Sequence, residues 1–334
     1  SMSPYLWLQQ LVLDLFSVAI MLLSTYFYLQ GTMPLAYCLM MIVASFMIFG
    51  ELKSAGSGMA TLRLAEVSID RANELDEVPV MAEGQIDKSP VSHDIEFQNV
   101  HFAYEKRTIL ESVNFKIPDR TMTAIVGPSG SGKTTICNLI ARFWDVNSGQ
   151  VLIGGQDVKS YTLSELMSNI SMVFQNVYLF ADTIENNIKF GKPDATHEEV
   201  VEAARKACCD DFISDLPDGY NTLIGEGGAS LSGGEKQRLS IARAMLKDAP
   251  IVIFDEATAN VDPENEDRLQ AAIEELTKNK TIIMIAHRLK TVRNADQILV
   301  VNGGHIVQQG RHDDLIKQKG IYADFVSGRK QAIG

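Results

Sequence analysis

Two long apolar runs open the 334-residue chain, and they constrain its fold more than any other feature. Residues 11–29 and residues 33–49 each approach the ~20 apolar residues that a helix needs to cross the hydrocarbon of a bilayer. The residues between the runs, Gln30-Gly31-Thr32, are typical of a turn, and Pro34 can begin a helix. The sequence therefore predicts an all-α transmembrane hairpin.

A signal peptide and a pair of buried core helices are the rival interpretations of these runs. A signal peptide needs a positively charged start, whereas no Lys or Arg precedes Lys53 and a second apolar run follows at once. Lys53, Arg63 and Arg71 all follow the second run, so that end should face the cytoplasm. We therefore expect a multi-pass protein of the cell membrane, in contact with lipid, with its soluble part in the cytoplasm.

One acidic residue, Asp14, lies inside the first run. Its carboxylate either faces a cavity or partner helix, or lies near the membrane surface in contact with water, and the sequence leaves both open. Two helices alone do not enclose a path for a solute, because the polar groups of such a path need more helices around them. We therefore expect the sequence to be a fragment whose partners include further transmembrane helices upstream of Ser1.

Apolar residues recur at helical spacing from Leu52 to Ile69, so the second helix should continue into the cytoplasm and complete a domain of residues 1–75. Pro79, Gly84 and Pro90 lie among acidic residues, a composition typical of a linker. We assign residues 76–94 to this linker and place the next domain at residues 95–330.

The composition of the chain argues against some kinds of ligand. The net charge is −12 and the pI is about 5.0, which argues against nucleic acid as a partner, because phosphates require a basic face. The cysteines have no metal-binding spacing and are expected to be reduced thiols, the last two of them within a helix. These residues are Cys38, Cys137, Cys208 and Cys209.

A glycine-rich stretch follows a short apolar strand, Met122–Val126, and precedes a helical pattern over Thr135–Phe143. Such a loop turns backbone N–H groups toward phosphates, and the start of the helix adds a favourable dipole. Lys133 would place its charge on the β- and γ-phosphates, and the Thr134 hydroxyl would ligate Mg²⁺. The candidate ATP-binding residues of the loop are Gly127, Pro128, Ser129, Gly130, Ser131, Gly132, Lys133, Thr134 and Thr135.

A second apolar strand, Ile251–Phe254, ends in two carboxylates. Residues at the carboxyl end of a parallel strand reach the ligand crevice of an α/β sheet. Asp255 is expected to hold Mg²⁺ through water, and Glu256 is positioned to polarise a water molecule that attacks a phosphate. The fold class is therefore α/β, of the phosphate-loop (P-loop) NTPase type, that is, a nucleoside triphosphatase.

The stretch Leu231-Ser232-Gly233-Gly234-Glu235 resembles the signature motif of ATP-binding-cassette (ABC) proteins. The motifs also follow in the order of that family, and the resemblance covers residues 95–330. Because apolar helices precede the cassette, the chain resembles the C-terminal portion of an exporter-type half-transporter. That resemblance implies an ATPase that powers transport, with ATP and Mg²⁺ as cofactors and a helical subdomain beside the α/β core.

The resemblance also implies roles for single residues. Tyr104 would stack on adenine, although a surface tyrosine is its rival interpretation. Gln175 would contact Mg²⁺ and the attacking water, His287 the γ-phosphate, and Asp262 would communicate between two cassettes. The signature residues would bind the ATP of a second cassette, in a homodimer or a heterodimer.

Two further features are expected from the resemblance. A helical insert over residues 196–215 should precede the signature, and Gly225-Glu226-Gly227-Gly228 is either a contact to intracellular helices or a simple glycine turn. Two other functions remain open: a non-transport ABC ATPase, and a nucleotide-binding fragment that is not competent for transport. Neither the transported substrate nor the direction of transport can be derived from these motifs, and export rests on the resemblance alone.

Overall fold

The structure, a computed structural model, describes residues 4–76, 80–174, 176–228, 231–255, 263–286 and 292–333. The chain divides into two compact units, residues 1–80 and 81–334. The prediction of two apolar helices followed by an α/β domain is confirmed.

The first unit consists of two long helices, α1 (Pro4–Leu29) and α2 (Leu35–Asp76). Within them Trp7–Leu29 and Leu35–Ala55 are long and apolar enough to cross a bilayer, and only 11% of each apolar window is buried, unlike a core helix. The Ser17 and Ser45 hydroxyls share a buried hydrogen bond of 3.2 Å between the helices. Lys53 forms an ion pair with Asp14, so this carboxylate meets a cation near the far end of the second run.

The second unit contains two sheets. An antiparallel sheet has the order β2-β1-β4-β5, and a six-stranded sheet has the order β10-β9-β3-β8-β7-β6. All neighbouring strands of the larger sheet pair in parallel except β10, which is antiparallel to β9. The strands are β1 (Ile95–Tyr104), β2 (Arg107–Ile117), β3 (Met122–Val126), β4 (Ser148–Ile153), β5 (Gln156–Asp157), β6 (Ile170–Val173), β7 (Ile251–Asp255), β8 (Thr281–Ile285), β9 (Gln297–Asn302) and β10 (His305–Gly310).

Two hydrophobic clusters cover the two faces of the six-stranded sheet. Along β7, Ile251 and Ile253 belong to the cluster shared with the antiparallel sheet, whereas Val252 and Phe254 belong to the cluster shared with the helical part. Successive side chains of a strand point to opposite faces, so a strand buried on both faces must be apolar throughout. The helices of this unit are α3 (Lys133–Ile140), α4 (Leu163–Ser168), α5 (Ile184–Lys189), α6 (His197–Lys206), α7 (Asp210–Ser214), α8 (Gly233–Lys247), α9 (Pro263–Leu276), α10 (His312–Leu315) and α11 (Ile321–Ile333).

Two local expectations differ from the structure. Cys208 and Cys209 do not lie inside a helix, because α6 ends before them and Cys208 has a left-handed φ of 54°, which breaks the helical ladder. The helix after the glycine-rich loop ends at Ile140 rather than at Phe143, because Arg142 is also left-handed, with φ 51°.

The domain boundary expected near Asp94 lies earlier in the structure, since the second compact unit begins at Met81. The amide N–H groups of Gln85 and Ile86 donate to the Ser160 carbonyl at 3.0 and 2.9 Å, and Thr162 returns a bond of 2.9 Å to Ile86. These hydrogen bonds attach residues 85–86 to the α/β domain, although the composition of residues 76–94 is typical of a linker.

Candidate functional site

The glycine-rich loop connects β3 to α3 and bends through glycines with positive φ. Gly127, Gly130 and Gly132 have φ of 153°, 74° and 110°. A Cβ on Gly127 would lie 2.0 Å from the carbonyl oxygen of Val301 in β9. Because that neighbour is backbone, the position has no room for a side chain, and the loop is held close to the sheet.

The lysine of the loop lies inside the curve that the loop makes. Its ammonium donates to the carbonyl oxygens of Gly127 at 3.0 Å and Pro128 at 2.8 Å, and Lys133 is only 8% exposed. A buried ammonium requires such acceptors, since burying an unpaired charge is costly. The geometry therefore concentrates positive charge where α3 begins, and the N-terminal end of a helix dipole adds to that charge.

Two hydroxyls next to the lysine fit a phosphate and a hard cation. The Ser131 Oγ is buried and has no hydrogen-bond partner among the described residues. Thr134 is exposed on the first turn of α3. An unsatisfied buried hydroxyl is costly unless a ligand completes it, and hydroxyl and carboxylate oxygens are the donors that Mg²⁺ prefers. The residues present therefore fit a magnesium–phosphate group.

The candidate metal carboxylate lies at the matching edge of the sheet. Asp255 ends β7 and pairs with Ile285 at the end of β8, which in turn pairs with β3 just before the loop. Burial raises the pKa of the Cys137 thiol in α3, and the negative charge of Asp255 raises it further. That electrostatic effect requires the Asp255 carboxylate to lie close to the helix that begins with Lys133.

The signature stretch begins helix α8 with a reciprocal cap. The Ser232 Oγ accepts from the Glu235 N–H at 3.3 Å, and the Glu235 carboxylate accepts from the Ser232 N–H at 2.7 Å. The hydroxyl is therefore an acceptor in this cap, and among the residues that the structure describes its own proton has no acceptor, so a ligand could take it. Gly233 is exposed, Gly234 is buried, and both lie in the first turn of α8, with Leu231 just before it.

The candidate base platform, Tyr104, ends β1 beside other rings. Its ring is 4.8 Å from that of Phe102 and 5.2 Å from that of Trp144, both approached edge-on. Trp144 and its neighbours were not anticipated, because no sequence pattern links a residue after the glycine-rich loop to one 40 residues earlier.

Four candidate site residues, Gln175, Glu256, Asp262 and His287, lie outside the described residues. The described strands that precede three of them, β6, β7 and β8, are parallel neighbours and end at the same edge of the sheet. That edge also carries the start of the glycine-rich loop after β3. The roles of these four residues therefore stay proposals.

Comparison with known proteins gives the same family. A family model described as ABC transporter matches residues 110–259. The ATP-dependent lipid A-core flippase of Escherichia coli (strain K12) is 45% identical over 271 residues, covering 80% of this chain and 46% of that protein. The protein of the same name from Shigella flexneri has the same identity and coverage.

A solved structure described as a bacterial Atm1-family ABC exporter with ATP bound matches 97% of this chain and 57% of its own, with a TM-score of 0.75 and 35% identity. The chain spans about half the length of the curated relatives that it matches. The matched exporter fold includes both the apolar helices and the cassette, since nearly the whole chain is aligned. The chain therefore belongs to the ABC transporter family, and it carries the ATPase domain of that family after two apolar helices.

Proposed function

We propose that this chain is the ATP-hydrolysing part of an exporter-type half-transporter, which uses ATP and Mg²⁺ to move a substrate across the cell membrane. The observation that carries the proposal is the buried ammonium of Lys133 within the glycine-rich loop, beside the Ser131 hydroxyl, which has no hydrogen-bond partner in the described part of the chain. Charge and unsatisfied donors converge there, as an anionic ligand requires.

Phosphate binding would exchange one set of partners for another. The Lys133 ammonium would turn from the carbonyls of Gly127 and Pro128 to the β- and γ-phosphates, while loop amides and the Ser131 hydroxyl donate to phosphate oxygens. A bound Mg²⁺ supplies positive charge to the phosphate oxygens, and Thr134, Gln175 and Asp255 are the residues proposed to hold it. Tyr104 would carry the base.

Hydrolysis would proceed by in-line attack of water. Glu256 is proposed to accept a hydrogen bond from the water, whose oxygen bonds to the γ-phosphorus as the bond to the β,γ-bridging oxygen breaks. ADP and inorganic phosphate result. Lys133 and His287 would stabilise the negative charge that develops on the transferred group.

A second cassette would complete the site. The free proton of the Ser232 hydroxyl and the first amides of α8 form an anion site at the start of a helix, which we assign to the ATP of the partner. Two such contacts related by a twofold axis make an isologous dimer, with Asp262 communicating between the cassettes. Loss of the γ-phosphate would remove the shared ligand and allow opening.

In this proposal, transport requires more transmembrane helices than the two apolar helices of this chain. The two apolar helices would contribute to the transmembrane part of the transporter and contact lipid, with the cassette in the cytoplasm. The relatives at 45% identity are named lipid A-core flippases, which supports a lipid as the substrate, and the solved structure at 35% identity is described as an exporter, which supports outward movement. Opening and closing of the cassettes would then switch helices between two arrangements.

Phosphate release by the purified full chain, measured in detergent with and without Mg²⁺, tests the proposal. Glu256→Gln should retain ATP binding and lose nearly all turnover, because the attacking water loses its base. Lys133→Met should lose both, because the principal cation of the phosphate site is removed. Lys317→Met, which changes an exposed lysine in the C-terminal part of the chain, is the matched control and should leave both unchanged.

The two rival functions predict different results. ATP binding by the wild-type chain without any phosphate release, even after tethering two copies, would indicate a nucleotide-binding fragment. Full solubility of the intact chain without detergent would indicate a non-transport ABC ATPase. Turnover of Glu256→Gln near the wild-type rate would contradict the assignment of the base.

A further inference from the structure

Three aromatic rings meet at the end of β1. Tyr104 lies between Phe102 and Trp144, with centroid distances of 4.8 and 5.2 Å and interplanar angles of 89° and 86°. Phe102 and Trp144 also meet, at 6.4 Å. Edge-to-face contacts of this kind are directional, so two of them fix the plane of the Tyr104 ring more closely than burial alone.

The segment that carries Trp144 is itself fastened to β1. The Asn147 N–H donates to the His101 carbonyl at 3.0 Å, and the Asn147 side-chain oxygen accepts from the Ala103 N–H at 2.7 Å. The two hydrogen bonds reach β1 at the residues immediately before and after Phe102. Trp144 therefore approaches Tyr104 from a backbone whose register against β1 is set by hydrogen bonds.

An ion pair between a buried guanidinium and a partly exposed carboxylate lies in the same segment. The Arg142 guanidinium is almost fully buried and donates through Nε to the Asp145 carboxylate at 3.0 Å, so the pair brackets Trp144 in the sequence. Arg142 follows the end of α3, the helix that begins at Lys133. The ring of Trp144 is thus joined, through helix α3 and the residues after it, to the loop that is proposed to bind phosphates.

We propose that Trp144 is a positioning residue for the nucleotide base: it holds the ring of Tyr104 in the plane on which adenine stacks. This inference rests on the proposed function. Trp144 remains 50% exposed although it is large and apolar, and its described ring contacts are those to Phe102 and Tyr104. Trp144, which supports the base platform, and Lys133 of the phosphate loop are then carried by the two ends of one segment, residues 133–147.

Binding of two ligands by the full chain in detergent separates base recognition from phosphate recognition. ATP uses both subsites, whereas inorganic tripolyphosphate uses the phosphate loop alone. Trp144→Leu should lower the affinity for ATP about 3- to 10-fold, the range expected from losing one edge-to-face contact, and leave the affinity for tripolyphosphate unchanged. Trp144→Phe keeps a ring at the position and should retain most of the affinity for ATP.

A double-mutant cycle tests whether Trp144 acts through Tyr104. Tyr104→Leu should also lower the affinity for ATP and not that for tripolyphosphate. The double variant, with both Tyr104→Leu and Trp144→Leu, should bind ATP no more weakly than Tyr104→Leu does. In a Trp7→Phe background Trp144 is the only tryptophan of the chain, so its fluorescence should change on addition of ATP and not of tripolyphosphate.

Contrary outcomes identify which claim has failed. If Trp144→Leu binds ATP as tightly as the wild type while Tyr104→Leu binds weakly, the positioning role is wrong. Equal weakening of ATP and tripolyphosphate by Trp144→Leu would also overturn it, since that is the result of a damaged loop. Failure of the wild-type chain to bind either ligand would instead overturn the proposed function.

Discussion

At the scale of single residues, the phosphate loop depends on one position without room for a side chain. The backbone carbonyl of Val301 lies where a Cβ on Gly127 would be, at 2.0 Å, whereas nothing lies within 4 Å of a Cβ on Gly130. Both glycines have positive φ, so an alanine at either pays a backbone cost of ~1–2 kcal/mol. Only Gly127 adds a steric conflict with backbone that cannot move aside.

We therefore expect Gly127→Ala to lower the free energy of unfolding by at least ~2 kcal/mol more than Gly130→Ala, because overpacking adds to the shared backbone cost. Urea unfolding followed by circular dichroism measures the difference. Equal losses for the two variants would show that the loop can move away from β9 without cost.

At the scale of elements, two helices begin with the same reciprocal cap. In α8 the Ser232 hydroxyl accepts from Glu235, and in α6 the Thr196 hydroxyl accepts from Glu199, each at 3.3 Å. Both carboxylates return a bond to the N–H of the capping residue. The two caps share this hydrogen-bond pattern, and only the first is proposed to bind the ATP of a partner cassette.

We expect Ser232→Ala and Thr196→Ala each to lower the free energy of unfolding by about 1 kcal/mol, through loss of the cap. Only Ser232→Ala should also reduce ATP turnover, because its hydroxyl proton would no longer reach the partner's phosphate. Paired thermal unfolding and phosphate-release assays compare them. Loss of ATP turnover in both variants would show that Ser232→Ala acts on turnover only by lowering stability.

Helix α5 carries an acid whose charge is stabilised by the fold. The Lys189 ammonium contacts the Glu185 carboxylate at 2.7 Å, and this bond, followed by that from His197, holds the pKa of Glu185 below its usual value. The lowered pKa means that the unfolded chain binds the proton more readily. The contribution to stability is therefore present above the unfolded pKa, ~4.3, and is lost as the pH falls through the lower folded value.

Glu185→Gln should accordingly be less stable than the wild type at pH 6, and this gap in unfolding free energy should shrink below about pH 4.3. Denaturant unfolding at several pH values measures the gap. Lys189→Met is the matched variant, because it removes the main cause of the lowered pKa of Glu185. Its unfolding free energy should therefore depend less on pH in this range than that of the wild type. A gap that stays constant with pH would contradict the assignment.

At the scale of the whole molecule, the two compact units should separate at Met81 rather than at Asp94. The Arg142 guanidinium donates to the Ala82 carbonyl at 2.6 Å, in addition to the bonds that residues 85–86 make with Ser160. Removal of residues 81–94 would leave this buried guanidinium with one acceptor fewer, and unmet buried charge is costly.

Two truncated chains test this boundary. Residues 81–334 should fold and remain soluble without detergent, because the apolar helices are gone. Residues 95–334 should be less stable by at least ~2 kcal/mol, since a buried donor loses its acceptor. Urea unfolding compares the stability of the two truncated chains. Equal stability would indicate that residues 76–94 are a linker, as their composition suggests.

Much of the fold was predictable because its signals are local. The two apolar helices, strands β3 and β8, and the start of α8 follow from runs or spacings of a few residues. The break at Cys208, the early end of α3 and the boundary at Met81 were not, because each depends on backbone conformation or on contacts with distant segments.

The sequence by itself determined the chemistry of the candidate site. Glycines around Lys133 and an acid at the end of an apolar strand predict an anion site and a cation site, because covalent spacing and strand direction bring them to one edge of the sheet. Tertiary structure alone decided what surrounds that site: the Val301 carbonyl against Gly127, and Trp144 against Tyr104. Such neighbours are distant in the chain, and only the packing of whole strands and helices brings them together.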